Sequence, residues 1–476
     1  MPAAAAVHGV LDVVAIPGGA AVVATNSWAA IRGAEVLRIR FKPTPHDKLD
    51  SAAISRQMRA GLGEGAQPIN ARADGDWASA KVAAKRIVAA DYEVPYLSHA
   101  PMEPWNCTVE FAGDGEVHIW APVQTQDRNR NAAAAAAGVP ADKIRLHTTL
   151  LGGGFGRRLG SDGIAAAVVT AKAVKRPVKF FWRREDEFGQ GWYRPAQAAR
   201  LKAALDADGR VTGLHVRTAG PALSASFSPQ GLPAGQLDGS SVQTIRESRY
   251  KPAAFHVEWV RVDQPVPMAP WRAVGATQNG YFLECFVDEV ARAAGRDPYQ
   301  LRRELLAHDP RALNVIDTVA KAAGWGEPLP KGRARGMAFV ECYGSLCAEV
   351  AEVSLRDGRP FVHRVVCALD CGSIVLPDGV RSQIEGGIVQ GLSAVLGEAV
   401  NVAGGAAVER NFDTYSMLRI TDAPERIETI IIESGEPMGG VGEPPLPPLA
   451  PAVVNALVAL TGKPIRELPL SRHRFA

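Results

Sequence analysis

Cysteine is scarce, with six in 476 residues, too few for a disulfide framework. The close pairs, Cys342 with Cys347 and Cys367 with Cys371, fall short of the three clustered cysteines plus a distant fourth that an iron–sulfur site requires. The ten histidines contain neither HExxH nor a paired zinc spacing, so no metal held by protein side chains is expected. His118 and His147, in alternating strand-like surroundings, read as structural. Charge of one sign is also missing: 53 basic residues face 50 acidic ones, without a run of five or six like charges, which excludes the electrostatic footprint of a nucleic-acid binder. Long apolar runs are few. The longest uncharged stretches, between Asp12 and Arg32 and between Glu443 and Lys463, are broken by Pro17-Gly18-Gly19 and by Pro444, Pro445, Pro447 and Pro448, so no membrane span is expected. The opening MPAAAAVHGVLDVV lacks a basic start and a continuous apolar core, and the chain taken alone reads as cytoplasmic.

What is present is the composition of a folded globular protein, 47% hydrophobic and 22% charged, about three times the length of a typical domain. Strand and helix patterns mix without strict βαβ alternation or internal repeat, which favours a large α+β architecture. The chain divides into 1–90, a small α+β piece followed by a connector; 91–330; and 331–476. In the first part the patterns predict strands at Val13-Val14, Ala20–Thr25 and Val36–Phe41 and helices at Ser27–Gly33, Ser51–Gly61 and Trp77–Ile87. In the second they predict strands at Tyr92–Val94, Cys107–Phe111, Glu116–Trp120, Lys143–Leu151 and Val178–Trp182. Helices are expected at Gln124–Gly138 and at Ser161–Lys175, the latter capped by Ser161 or Asp162. Further strands are expected at Arg200–Leu205, Val211–Arg217, Phe255–Val262, Ala348–Leu355, His363–Ala368 and Arg426–Glu433. The remaining helices are Gln278–Gly295, Pro298–Ala307, Asp378–Leu396 and Pro451–Leu460.

Glycine and proline, 47 and 34, concentrate in a few loops. Leu151-Gly152-Gly153-Gly154-Phe155-Gly156-Arg157-Arg158 lies between a strand and a helix, where backbone N–H groups unhindered by Cβ atoms can hold anionic oxygen. Arg157 and Arg158 add positive charge. The loop ends in no Gly-Lys-Ser/Thr and does not fit GxGxxG; a tight turn with two solvated arginines is the other reading. Glu443 sits between Gly442 and a polyproline segment, held as a general base should be held, or else capping the next helix or pairing with an arginine. Gln124 and Gln126 stand where a strand turns into a helix and can serve as caps. Arg272, in Ala269-Pro270-Trp271-Arg272-Ala273-Val274-Gly275, can serve as a structural salt bridge.

Taken together, WAPVQ, GGGFGRR, PWRAVG, CALDCG with QIEGGIVQGL, and GGVGEPPLPPLAPAVVNAL resemble the molybdopterin-binding large subunit of the xanthine dehydrogenase and aldehyde oxidase family, most closely its isoquinoline 1-oxidoreductase beta-subunit branch. The resemblance covers nearly the whole chain. It implies large mixed α/β molybdopterin-binding domains, with residues 1–90 as the C-terminal part of a hammerhead-like domain, 91–330 as a first cofactor-binding domain and 331–476 as part of a second. It implies that Gln124 hydrogen-bonds an oxo ligand of molybdenum, that the backbone of Gly153, Gly154, Phe155 and Gly156 faces the metal centre, and that Arg272 and Ala273 line the cofactor. Glu443, beside Gly442, would be the base of a hydroxylation that takes its oxygen from water. The cofactor would be molybdenum-molybdopterin, in its cytosine dinucleotide form, with iron–sulfur clusters confined to a partner subunit.

Where purine-oxidising relatives carry a second acid after the glycine loop, this sequence has Leu159, so the resemblance implies an aldehyde or an aromatic N-heterocycle as substrate. The Gly-Gln-Gly motif that grips the pterin elsewhere in the family is not found; Gln390-Gly391-Leu392 is not it. The expectation is therefore a second chain carrying an N-terminal half, with a periplasmic location if that partner bears an export signal. The alternatives are a cofactor-free assembly or binding subunit and, on the glycine loop alone, an unrelated nucleotide-binding protein. The substrate-shaping side chains are expected on loops such as 218–250.

Overall fold

In the computed structural model, which describes residues 1–227 and 231–475, the chain opens with a short helix, α1 (Pro2–Ala5). The hairpin β1 (Val10–Ile16) and β2 (Gly19–Ala24) follows, then α2 (Ser27–Val36). α3 (Ser51–Gly61), β3 (Ile69–Asp74), α4 (Trp77–Ala83) and β4 (Arg86–Val94) come next. The predicted strand at Val36–Phe41 does not form: residues 37–41 are neither helix nor strand, because an extended segment becomes a strand only when it pairs. The predicted helix Trp77–Ile87 stops at Ala83 and the chain re-enters a sheet at Arg86, so the stretch 42–90 contributes β3 and the start of β4 to a sheet as well as connecting.

β5 (Asn106–Phe111), β6 (Val117–Ala121), α5 (Gln126–Ala137), β7 (Ile144–Thr148), α6 (Asp162–Val174) and β8 (Val178–Phe181) form a layered unit. Its sheet order is β7-β6-β5-β8, with β6 and β7 parallel. α5 ends as its sequence announces, at Gly138 in the left-handed region, φ 75°, which glycine adopts freely. The short helix α7 (Arg184–Gly189) leads to β9 (Gln197–Leu205), β10 (Val211–Gly220) and β11 (Ala254–Arg261). These build a five-stranded sheet, β3-β11-β10-β9-β4. Residues 228–230 of the 218–250 segment lie outside the described residues.

α8 (Gly275–Ala293), α9 (Pro298–Leu305) and α10 (Pro310–Ala323) cross to a second half made of β12 (Arg333–Cys342), β13 (Ser345–Arg356), β14 (Arg359–Asp370) and α11 (Pro377–Leu396). A small hairpin, β15 (Val402–Ala403) and β16 (Ala406–Ala407), precedes β17 (Arg426–Ile431) and α12 (Leu449–Thr461). The sheet here is β12-β13-β14-β17, its last pair parallel. The architecture is thus the large α+β arrangement expected from the sequence.

Sixteen of the nineteen residues of α8 are buried, and this helix joins the five-stranded sheet to the β12-β13-β14-β17 sheet through one apolar core. Its polar residues specify how it sits. Glu284 and Asp288 accept hydrogen bonds from the fully buried Arg302 of α9 at 2.9 and 2.8 Å, and Glu284 also accepts from Tyr250 and from the backbone N–H of Phe339 on β12. Buried charges survive only when satisfied in this way. α12 packs against both α8 and β12, and Gly336 of β12 lets its backbone approach so closely that a Cβ would stand 2.2 Å from Ala456 N. The loops that precede α8 and α12 are thereby fixed relative to each other.

Candidate functional site

The glycine loop lies directly after β7 and turns on left-handed residues, Gly153 at φ 96°, Phe155 at 51° and Gly156 at 105°. Gln124, in the short connection from β6 to α5, holds it. Its Oε1 accepts the backbone N–H groups of Gly156 (3.1 Å) and Arg158 (3.2 Å), and its own N–H donates to Arg158 O. Because both neighbours are donors, the amide oxygen must face them and the NH2 group must face outward. Gln124 therefore caps no helix; Thr125 precedes α5, without a side-chain cap bond.

Arg157 and Arg158 depart from the sequence reading. Both are buried, 2% and 0% exposed, and they point into the protein instead of adding charge to the loop. Arg157 makes a bidentate pair with Asp162, which takes up the expected cap residue, and Ser161 makes no side-chain cap bond either. Arg158 donates to Glu103 O and lies near Glu187. They brace the loop from behind.

Gly156 brings the next loop in. A Cβ there would stand 1.6 Å from Pro270 O, a separation that only glycine tolerates. Pro270 O also accepts from His99 Nε2 at 2.8 Å; a carbonyl accepts only, so this nitrogen carries the proton. Burial pushes the His99 pKa down to about 3, so the ring stays neutral. Nothing in the sequence singled out His99, a lone histidine in SHAPM.

Beyond Pro270 the backbone is strained, with Ala273 at φ 73° and Val274 at φ 50°; for a β-branched residue that conformation is costly and is kept only where the surroundings impose it. The Ala273 N–H so presented donates to Glu443 Oε1 at 3.0 Å. Arg272 makes no salt bridge within 4.0 Å among the described residues. Its guanidinium instead donates to Gly442 O (2.6 Å), Gln390 Oε1 (3.0 Å) and both oxygens of Gln383 (3.2 and 3.0 Å). Burial lowers its pKa and nearby Glu443 opposes the shift. The two glutamines, seven residues apart on α11, share a face. Arg272 thus clamps the Val441-Gly442-Glu443 turn onto α11, a role the sequence reading did not assign to Gln383 or Gln390. Glu443 caps no helix, since α12 begins six residues later.

Gln124, Gly154, Gly156, Arg272, Ala273, Gly442 and Glu443 are therefore joined in one bonded and packed series. The series leaves donors open at one end and a carboxylate oxygen at the other. The N–H groups of Gly153, Gly154 and Phe155 and the NH2 of Gln124 donate to no group among the described residues; Glu443 Oε2 accepts from none. Exposed apolar side chains stand near these groups, Leu150 and Phe155 at the glycine loop and Met438 before Glu443 in the chain, with Tyr343 packed beside Gly440. Converging N–H donors and glycine-lined backbone suit an anionic, oxygen-rich group, and a molybdopterin fits that description.

Comparison with known proteins bears on this fit. The family model described as "Molybdopterin cofactor-binding domain" matches residues 64–306, and a second with the same description matches residues 290–424. The chain belongs to the molybdopterin-binding proteins of the xanthine dehydrogenase and aldehyde oxidase family. It is 31% identical to the isoquinoline 1-oxidoreductase subunit beta of Brevundimonas diminuta, over 98% of this chain and 62% of that protein. It is 29% identical to a membrane-bound aldehyde dehydrogenase [pyrroloquinoline-quinone] of Gluconacetobacter polyoxogenes, over 96% of this chain and 62% of that one. The chain thus spans less than two thirds of the length of these relatives. Its fold matches quinoline 2-oxidoreductase from Pseudomonas putida 86 with a TM-score of 0.82, over 99% of this chain and 92% of that one, at 15% identity. No described helix is long and apolar enough to cross a membrane.

Proposed function

We propose that the chain is the molybdenum-site subunit of a hydroxylase that oxidises an aldehyde or hydroxylates an aromatic N-heterocycle with water as oxygen source. In such a reaction the substrate carbon exchanges its one hydrogen for an oxygen from water, and substrate and water together release two electrons and two protons. The bound cofactor supplies the two-electron oxidation and the activation of water. This chain's own groups do the rest. Glu443 takes a proton at Oε2, while its other oxygen is tethered to the Ala273 N–H so that the carboxylate cannot swing away. Gln124 presents its NH2, and Gly153–Phe155 their N–H groups, where negative charge has to be held. Arg272 and Gly442 are positioning residues: they fix the turn that carries Glu443.

The observation that carries this reading is the continuous path from Gln124 through Gly156, Pro270 and Ala273 to Glu443, which ties an oxygen-binding loop to a held carboxylate. Three finer statements belong to the same proposal: the cofactor is the cytosine dinucleotide form, electrons leave through a separate iron–sulfur subunit, and the division 1–90, 91–330 and 331–476 marks the functional parts. Location, cytoplasmic or periplasmic, follows the partner. The test is the assembled complex carrying Glu443→Gln. Retained molybdenum with dye-linked oxidation of aldehydes and N-heterocycles reduced at least ~10²-fold is expected; unchanged turnover would remove Glu443 from the chemistry, and an assembly that never holds molybdenum would remove the whole reading.

A further inference from the structure

The largest cavity among those described lies away from these loops, between the N-terminal hairpin and the β7-β6-β5-β8 sheet, with a volume of about 530 Å³. Every residue of β2 from Gly19 to Ala24 lines it, and so does every residue of β8 from Val178 to Phe181. Successive side chains of a strand point to opposite faces, so a wall to which all of them contribute is a strand edge. Both edges are unpaired among the described residues, where β2 bonds only β1 and β8 only β5. In β2 the ladder from the Ile16–Gly19 pair that closes the turn directs Gly19 and Ala21 toward β1 and leaves the N–H and C=O groups of Ala20 and Val22 facing the cavity.

A third wall has the same character. Leu37, Ile39 and Phe41, alternate residues of the 37–41 segment, line the cavity. Ile39 is 43% and Phe41 72% exposed. Arg38, Arg40 and Lys42 stand exposed beside them and make no salt bridge among the described residues. Two open strand edges and one strand-patterned segment without a partner meet at one groove. An exposed edge of this kind is normally blunted or covered, and here no proline or bulge protects the Ala20–Val22 stretch.

We propose that this groove receives an extended segment of a partner polypeptide by strand addition, apolar at alternate positions and flanked by acidic residues. Its main chain bonds the Ala20–Val22 edge and the β8 edge, its apolar side chains cover Ile39 and Phe41, and its acidic flanks meet Arg38, Arg40 and Lys42. This is main-chain recognition, with side-chain alternation setting the register.

Hydrogen–deuterium exchange of the full chain tests it, with the acetylated and amidated peptide Asp-Val-Thr-Val-Thr-Val-Asp as probe and the same peptide N-methylated at alternate amides as control. The expected result is at least ~10-fold slower exchange in both the Gly19–Ala24 and Val178–Phe181 segments with the probe and none with the control. Ala20→Pro, which removes one edge donor, and the double change Ile39→Ser with Phe41→Ser, at exposed positions where folding is not at risk, should each abolish that protection. Equal protection by the N-methylated peptide, or none at either edge, overturns strand addition. Protection that appears without peptide and rises with protein concentration assigns the groove to a second copy of this chain, and overturns the proposal too.

Discussion

Replacing Gly156 by alanine tests whether the glycine loop and the Pro270–Gly275 loop must touch for the site to exist. The new Cβ would stand 1.6 Å from Pro270 O, so the carbonyl has to retreat by about 2 Å to reach ordinary contact. That movement breaks the bond from His99 Nε2, leaving a buried pair unsatisfied at about 1–3 kcal/mol, on top of about 1–2 kcal/mol for a non-glycine residue at φ 105°. Gly326→Ala is the matched control, because Gly326 has φ 88° but no atom within 4 Å of its Cβ position. It should lose only the backbone cost. Thermal or urea unfolding should therefore show Gly156→Ala destabilised by about 2–5 kcal/mol and Gly326→Ala by about 1–2. Since Ala273 and its bond to Glu443 lie three residues beyond Pro270, dye-linked turnover of the assembled complex should fall by about 10²-fold in Gly156→Ala and stay unchanged in the control. A Gly156→Ala protein with normal stability and turnover would refute the argument that these loops act as a unit.

Arg272→Lys should lower turnover by about 10-fold or more while molybdenum stays bound, because one ammonium cannot serve Gly442, Gln390 and Gln383 in the planar fork that guanidinium offers; kcat and metal content measured together check it. Gln124→Glu keeps an acceptor for Gly156 and Arg158 but replaces the outward donor by a second oxygen, and should cost at least ~10²-fold in turnover with little change in melting temperature. The buried Glu398, hydrogen-bonded by Tyr415 and Ser393, has its pKa pushed up to about 7 by desolvation. Its protonated form is the one the fold prefers, so its contribution is complete below the unfolded carboxylate pKa and is lost as pH rises through about 7, by up to ~3 kcal/mol. Melting temperature should fall between pH 5 and 8 in the native protein, and the fall should shrink in Glu398→Gln.

The loops and helices were legible because their signals are local. α3 occupies Ser51–Gly61 as its pattern indicates, and α12 ends at a left-handed Gly462. α10 carries local signals too, with Asp309 capping it, Pro310 opening it, Gly324 closing it and an apolar stripe of Val315, Ile316 and Val319, although the sequence reading places no helix there. β12 was overlooked too, since a strand buried on both faces shows little alternation. The orientation of Arg157 and Arg158 was not legible at all, because it depends on Asp162, Glu103 and Glu187 arriving from three other elements. Nor could sequence show that Gln124 faces the glycine loop with its oxygen, or that His99 supports Pro270, since both follow from packing between distant segments.

The arrangement of polar groups carries a further physical consequence. At the glycine loop four N–H-bearing groups, those of Gly153, Gly154, Phe155 and the Gln124 side chain, donate to nothing among the described residues, and at the Glu443 turn the carboxylate Oε2 accepts from nothing among them. A site with donors on one wall and an acceptor on the other favours a guest that holds negative charge at one end and releases a proton at the other. On the proposed function such a site also needs its carboxylate held in place, since one free to turn could accept from unpaired N–H groups instead of from a guest. The Ala273 N–H and the Arg272 clamp hold it, and the positive φ values of Ala273 and Val274 are the strain accepted to do so. On the proposed function the strained turn and the clamp serve one end, which is to hold a carboxylate in place while its Oε2 remains unpaired.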